Sequence, residues 1–271
     1  MGRRLAVSIP DSVLEDKESL REKTSKLGLI ARACAIYGVD VIEIFRDSNA
    51  RGEEKVIRKV LEYLETPQYL RRRLYPLDEV LRYAGALPPL RIPSHKAMVP
   101  LDRLSLGEIR EGVANADGTV DIGLDAAPAL RQRAKPGTRV TVIVSSLKPL
   151  QADLASRDRA DRYWGYAVES KSVGEVLSDQ RFRLRIATSR LGDPIVDVVG
   201  RLKDSLRGAD SVKLIFGSPS RGLFDIVGHD LAQRVDYAVN FFPQQQVETV
   251  RTEESLIVSL GLVSLLSSKK A

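Results

Sequence analysis

Residues 240–256 read NFFPQQQVETVRTEESL. An apolar run stops at Pro243, three glutamines follow, and Glu248, Arg251, Glu253 and Glu254 precede the apolar tail of the chain. Neither a strand period nor a helix period runs through this block. Thr252 reads as the N-cap of a closing helix, with Ser255 three residues on, where Glu or Gln would complete a capping box. The block is therefore a connection from the carboxyl end of a strand, VDYAVNFFP, to the amino end of a helix. Two earlier strands end in the same manner: RFRLRIATSR runs into LGDP, and SVKLIF runs into GSPSRGL. Parallel sheets bind ligands outside the carboxyl ends of their strands, so these three connections predict a ligand cradle.

PIVDVVGRLKDSL, between the first two of these strands, reads as an amphipathic helix. The first ninety residues show the same alternation. RRLAVSIP is a short strand, Asp11 or Ser12 is expected to cap a helix running to Tyr37, and Gly38 ends it. DVIEIF is a strand buried on both faces, and EEKVIRKVLEYLE places Val56, Ile57, Val60, Leu61 and Leu64 on one helical stripe that Pro67 closes. Between them the texture changes. IREGVANADGTVDIGLD and PGTRVTVIVSS are short alternating runs with Asp-Gly and Pro-Gly turns, which predict a small antiparallel β-barrel. The fold class expected is α/β, a parallel sheet built from residues 1–90 and 165–271 and interrupted by a barrel over residues 91–164.

The chain has 271 residues, a net charge of +6 and a pI near 9.4. A basic balance favours a polyanionic partner, and 29 of the 42 basic residues are arginine, whose planar fork suits phosphates and base edges. The apolar stretches are shorter than a bilayer span, and the first residues turn acidic too soon for a signal peptide. A cytoplasmic protein with no membrane association is expected. One cysteine, Cys34, excludes an internal disulfide, and with only His95 and His229 a metal site is not expected.

The loops contain no Walker A sequence, no G-x-G-x-x-G after a strand and no G-x-S-x-G elbow. Arg190 and Arg221 read either as loop arginines paired with nearby carboxylates or as ligand or RNA contacts. Glu253 and Glu254 either favour the dipole of the closing helix or act on a ligand. Trp164, with Tyr163 and Tyr166, either packs the barrel or stacks on bases, and Arg71, Arg72 and Arg73 are either a solvated helix end or an RNA-facing strip.

The succession IATSR-x-G, LIFGSPSRGLFDI and NFFPQQQVETVRTEESLIVSLGLVSLL resembles the SPOUT superfamily of RNA methyltransferases, in the branch with an OB-like insertion in the α/β domain. The resemblance spans nearly the whole chain. It implies a deep trefoil knot, S-adenosylmethionine bound bent in the knotted loops, an RNA substrate, and a homodimer with active sites at the subunit interface. By position, it implies cofactor contacts from Thr188, Ser189 and Arg190, from Phe216 and Gly217, and from Asn240, Phe242, Pro243, Gln244, Val247, Glu248 and Thr249. For catalysis it leaves Arg190 and Arg251 to orient phosphate or acceptor base and Glu254 or Glu253 to take a proton. The triple glutamine departs from the Pro-Gln-Gly form of related enzymes. Two other readings stand beside this one: a noncatalytic RNA-binding or assembly factor on the same fold, and a small-molecule enzyme with an accessory barrel.

Overall fold

A computed structural model of the chain describes residues 3–48 and 51–268. The chain forms two compact units, one of residues 1–62, 83–88 and 166–271 and the other of residues 63–82 and 89–165. Residues 63–82, assigned to the α/β part from sequence, thus belong to the second unit.

The first unit is a mixed α/β structure around a parallel sheet. Its elements in chain order begin with β1 (Arg4–Pro10), α1 (Leu20–Tyr37), β2 (Val41–Phe45) and α2 (Glu54–Glu65), whose last turn falls in the second unit. The chain returns with β8 (Ala167–Lys171), α4 (Val173–Ser178), β9 (Leu184–Pro194), α5 (Ile195–Gly208), β10 (Ser211–Ile215), α6 (Leu223–Val227), α7 (Leu231–Arg234), β11 (Tyr237–Asn240) and α8 (Thr252–Ser267). The strand order is β11-β9-β10-β1-β2-β8, with every pairing parallel. Segments from both halves of the chain complete one sheet, because β2 and β10, buried along their whole length, need neighbours on each side. Phe45, Leu177, Ala187, Ile215, Leu223 and Leu231 form a core beneath the carboxyl ends of the strands. A polar row crosses this interior: Lys213 and Glu43, both fully buried, pair at 2.8 Å, and Glu43 also accepts from Ser8 Oγ at 2.7 Å and pairs with Lys171 at 2.6 Å.

Three local features differ from the sequence reading. The cap of α1 is Ser19, which exchanges hydrogen bonds with Glu22; residues 11–17 instead form successive turns, and Asp11 and Ser12 turn their side chains to Asp47. Gly38 ends that helix in the left-handed conformation, as expected. The N-cap of α8 is Arg251, not Thr252, so the third residue on is Glu254, whose carboxylate accepts the Arg251 N–H at 2.9 Å. Finally, β9 does not end at the turn expected in ATSRLGDP. It pairs with β11 through Ala187↔Ala238, leaves that ladder in an excursion over residues 188–192, and resumes at Asp193↔Val239.

The second unit contains α3 (Gln68–Leu74) and a five-stranded sheet of β3 (Ile109–Ala114), β4 (Val120–Asp121), β5 (Ala129–Leu130), β6 (Arg139–Leu147) and β7 (Leu150–Leu154), in the order β4-β3-β6-β7-β5. A bridge between Thr119 and Ala129 brings the two ends of this order together, so the sheet nearly closes around Leu104, Val120, Ile122, Val142, Val144 and Ala152. Beside that apolar core, Arg139 joins the buried carboxylates of Glu65 and Glu111, and Trp164 Nε1 donates to Glu111 at 2.6 Å. Trp164 is therefore a packed, hydrogen-bonded side chain and not a stacking platform. Arg71 is likewise folded back, donating to the Thr66 and Leu64 carbonyls over the Tyr63 ring.

Candidate active site

The excursion of β9 over residues 188–192 and the connections after β10 and β11 line one cleft in the first unit, together with the start of α8. The strands dictate this: β9, β10 and β11 are parallel neighbours, so their carboxyl ends open on the same edge. Buried Phe216, Val239 and Phe241 supply apolar lining.

Hydrogen bonds fasten the loops to one another. Thr188 Oγ1 donates to the Ile215 carbonyl at 3.1 Å, fixing the first loop to β10. Asn240 bridges the first and third loops, its Nδ2 donating to the Arg190 carbonyl at 3.2 Å while its Oδ1 accepts the Phe242 N–H at 2.9 Å. Arg190 Nη1 reaches the Glu248 carbonyl at 3.3 Å, and Gln245 Nε2 donates to the Val247 and Glu248 carbonyls. Thr252 Oγ1 donates to the Gly217 carbonyl at 3.3 Å, which anchors α8 to the second loop. A Cβ at Gly217 would lie 2.8 Å from the Arg221 carbonyl oxygen, so glycine is what allows the second loop to fold this tightly.

Among the described residues, the Phe216 carbonyl and the Gly217 N–H have no hydrogen-bond partner in the protein. Open backbone groups beside aromatic and branched side chains suit a flat heterocycle with polar edges. The Phe242 N–H is not available in the same way, because Asn240 occupies it.

The family described as putative RNA methyltransferase matches residues 4–263. The chain belongs to this family. Among its relatives, an uncharacterised protein of Halobacterium salinarum is 33% identical over 96% of this chain and 98% of its own length. The human and mouse proteins named 28S rRNA (uridine-N(3))-methyltransferase are 30% and 32% identical, each over 95% of this chain and over 77% and 75% of their own. A solved RNA 2'-O ribose methyltransferase matches 98% of this chain and 56% of its own at 10% identity, with a TM-score of 0.41, too distant a likeness to carry residue roles.

In this RNA methyltransferase family member, the cleft gathers Thr188, Ser189, Arg190, Phe216, Gly217, Asn240, Phe242, Glu248 and Thr249 from the residues singled out in the sequence. Pro243, Gln244 and Val247 belong to the same loop but do not line it and are exposed. Arg251 and Glu254 stand exposed at the start of α8, outside the lining. Glu253 points elsewhere: it is buried and pairs at 3.1 Å with Lys26, itself fully buried and held at 2.7 Å by Asp16. This pair joins α8 to α1. The sequence reading missed Ser218, Pro219, Ser220 and Asp225, which also line the cleft. It did not anticipate Asp47 or Glu15, which hold the second loop from behind. The signal available for the first group was GSPSRGL itself, a tight turn directly after a buried strand.

Proposed function

We propose that this protein transfers a methyl group from S-adenosylmethionine to N3 of a uridine in large-subunit ribosomal RNA. The observation that carries the reading is the convergence of the β9 excursion and the loops after β10 and β11 on one cleft with open backbone groups at Phe216 and Gly217. The acceptor atom follows the animal relatives, which are named for uridine N3. When bound, S-adenosylmethionine supplies a sulfonium-activated methyl group. The protein's part is then to hold the acceptor in line, exclude water and receive the N3 proton. Phe216 and Gly217 would hold the adenine edge through backbone groups, and Phe241 and Val239 would enclose it.

Arg190, exposed at the cleft, is assigned to the acceptor base or its phosphate. Of the carboxylates lining the cleft, Asp225 accepts the Gly222 N–H at 2.9 Å, whereas among the described residues the side chain of Glu248 has no partner. Glu248 therefore takes the proton-acceptor role in this reading, in place of Glu253 and Glu254.

The finer architecture belongs to the same proposal: a SPOUT trefoil knot in the first unit, an OB-like second unit that contacts RNA, and a homodimer. Support for the dimer comes from α8, TEESLIVSLGLVSLLS, which is apolar on all sides yet leaves Ile257, Val258 and Leu265 exposed. Leu191 and, on the adjoining α5, Val196 and Val199 are exposed as well. A helix apolar all round is ordinarily buried, which fits a second copy covering this face and brings Arg251 and Glu254 toward a shared site. The test is calorimetric titration with S-adenosylmethionine followed by methylation of an unmodified large-subunit rRNA transcript, with products digested to nucleosides. Saturable binding and 3-methyluridine support the reading. A folded protein that does neither refutes it.

A further inference from the structure

Arg221 lies at the end of the tight turn after β10 and lines the cleft. Its guanidinium is paired with Asp47, a carboxylate just beyond β2 that is 1% exposed. Asp47 is itself set in place twice, accepting from Ser12 Oγ at 2.8 Å and donating its own N–H to Asp11 Oδ1 at 2.8 Å. The backbone that carries Arg221 is held separately. The Ser218 N–H donates to the Arg221 carbonyl at 2.9 Å and the Arg221 N–H returns to Ser218 Oγ at 3.1 Å. From the β1–α1 connection, Glu15 accepts from Ser218 Oγ at 2.5 Å, Ser220 Oγ at 2.6 Å and the Ser220 N–H at 3.1 Å. Two carboxylates from two different connections thus immobilise one arginine, Glu15 by its turn and Asp47 by its head group.

Burying a carboxylate is unfavourable unless its partner and hydrogen bonds compensate, so a buried ion pair is weak evidence of a device for stability alone. What this pair does accomplish is orientation. A guanidinium has five donors in a rigid fork, and engaging one edge with Asp47 leaves the others in fixed directions. The Arg221 side chain retains 23% of its exposure. It thus offers directed, part-exposed donors to the cleft that it lines.

We propose that Arg221 reads a phosphate of the RNA strand entering the cleft, and that Asp47 is its positioning residue. This rests on the cleft being the methyl-transfer site. Phosphate is favoured over the cofactor's carboxylate because RNA presents an anion at every nucleotide, and because the arginine is part-exposed. A bidentate phosphate contact requires the fork, which lysine lacks.

The test uses the full chain with Arg221→Gln, Arg221→Lys and Asp47→Asn. For each, S-adenosylmethionine affinity is measured by calorimetry, affinity for an unmodified large-subunit rRNA transcript is measured across a salt titration, and kcat/KM for methylation is determined. All three variants are expected to bind S-adenosylmethionine within about twofold of wild type. Arg221→Gln should lower kcat/KM by about tenfold to a hundredfold, the loss of one charged hydrogen-bonded contact. It should also reduce the slope of log affinity against log salt by about one. Arg221→Lys and Asp47→Asn should keep the slope, since the charge remains, and still lower kcat/KM, since its direction is lost. A purely structural pair would not separate slope from rate in this way. Lost S-adenosylmethionine affinity with an unchanged salt slope would make the cofactor carboxylate the anion and overturn the proposal. Unchanged rate and slope in Arg221→Gln and Arg221→Lys would reduce the pair to packing, and these two variants suffice if Asp47→Asn does not fold. A wild-type protein that methylates no RNA would instead refute the reading of the cleft, and this proposal with it.

Discussion

The second loop offers the sharpest test of the cleft. In Gly217→Ala the new Cβ would meet the Arg221 carbonyl oxygen at 2.8 Å, the Leu223 nitrogen at 3.1 Å and the Gly222 carbonyl carbon at 3.2 Å. All three are backbone atoms, so no side chain can swing aside. Relief requires the 218–222 turn to move by several tenths of an ångström, yet Glu15 and Asp47 hold that turn from two directions. Overpacking of this sort is worth about 1–3 kcal/mol. If the turn stays in place, the strain appears as lower stability; if it yields, it appears as weaker cofactor binding, about tenfold per 1.4 kcal/mol. Urea denaturation and calorimetric titration with S-adenosylmethionine on the same preparation read both parts. Wild-type values in both experiments would show that the loop is neither tight nor part of the binding site, and the reasoning would fail.

Three further outcomes are expected. Burial lowers the His95 pKa to about 4, with Nε2 2.7 Å from the Glu65 carbonyl, so between that value and the unfolded 6.5 the unfolded chain binds the extra proton. Stability contributed by the neutral ring is therefore full above pH 6.5 and declines by about 3 kcal/mol as the pH falls toward 4; Trp164 fluorescence in wild type and His95→Gln should reveal the difference, and equal pH slopes would refute it. Glu43→Leu leaves fully buried Lys213 with Asp179 at 3.2 Å and the Val176 carbonyl at 3.1 Å. The loss should be about 3–5 kcal/mol in urea denaturation, with much of it recovered on adding Lys213→Met; a loss under about 1 kcal/mol contradicts the ion-pair account. Ile257→Asp with Val258→Asp should convert the dimer to monomer in light scattering coupled to size exclusion, and a wild-type protein that is already monomeric removes the dimer from the proposal.

Much of the parallel sheet was legible because β2 and β10 are apolar runs bounded by polar turns. The two connections after β10 and β11 that line the cleft were legible because each follows such a run, whereas the 188–192 excursion lies inside β9. Strand β8, AVESK, was not: it is an edge strand carrying Glu169 and Lys171, which engage Arg181 and Glu43 across the sheet instead of forming an apolar stripe. The cap of α1 was misread because Asp11 and Ser12 are good capping residues whose side chains have a tertiary partner in Asp47. Glu253 was read as a proton acceptor for a related reason, since its place after a helix start is local, whereas Lys26 lies in a different helix. The pairing of Arg221 with Asp47 spans 174 residues, beyond any periodicity or motif. Local pattern thus locates the loops, while the ion pairs that orient them are decided by the packing of distant strands.

The excursion at residues 188–192 has a further consequence for how the cleft exchanges its contents. Both of its ends are laddered to β11, at neighbouring positions Ala238 and Val239, while Thr188 is fastened to β10. A short loop tethered so closely at both ends has little chain entropy left to lose when a ligand orders it. Binding there should carry a small ordering penalty, and ligand release should proceed by flexing of the loop and not by its detachment from the sheet.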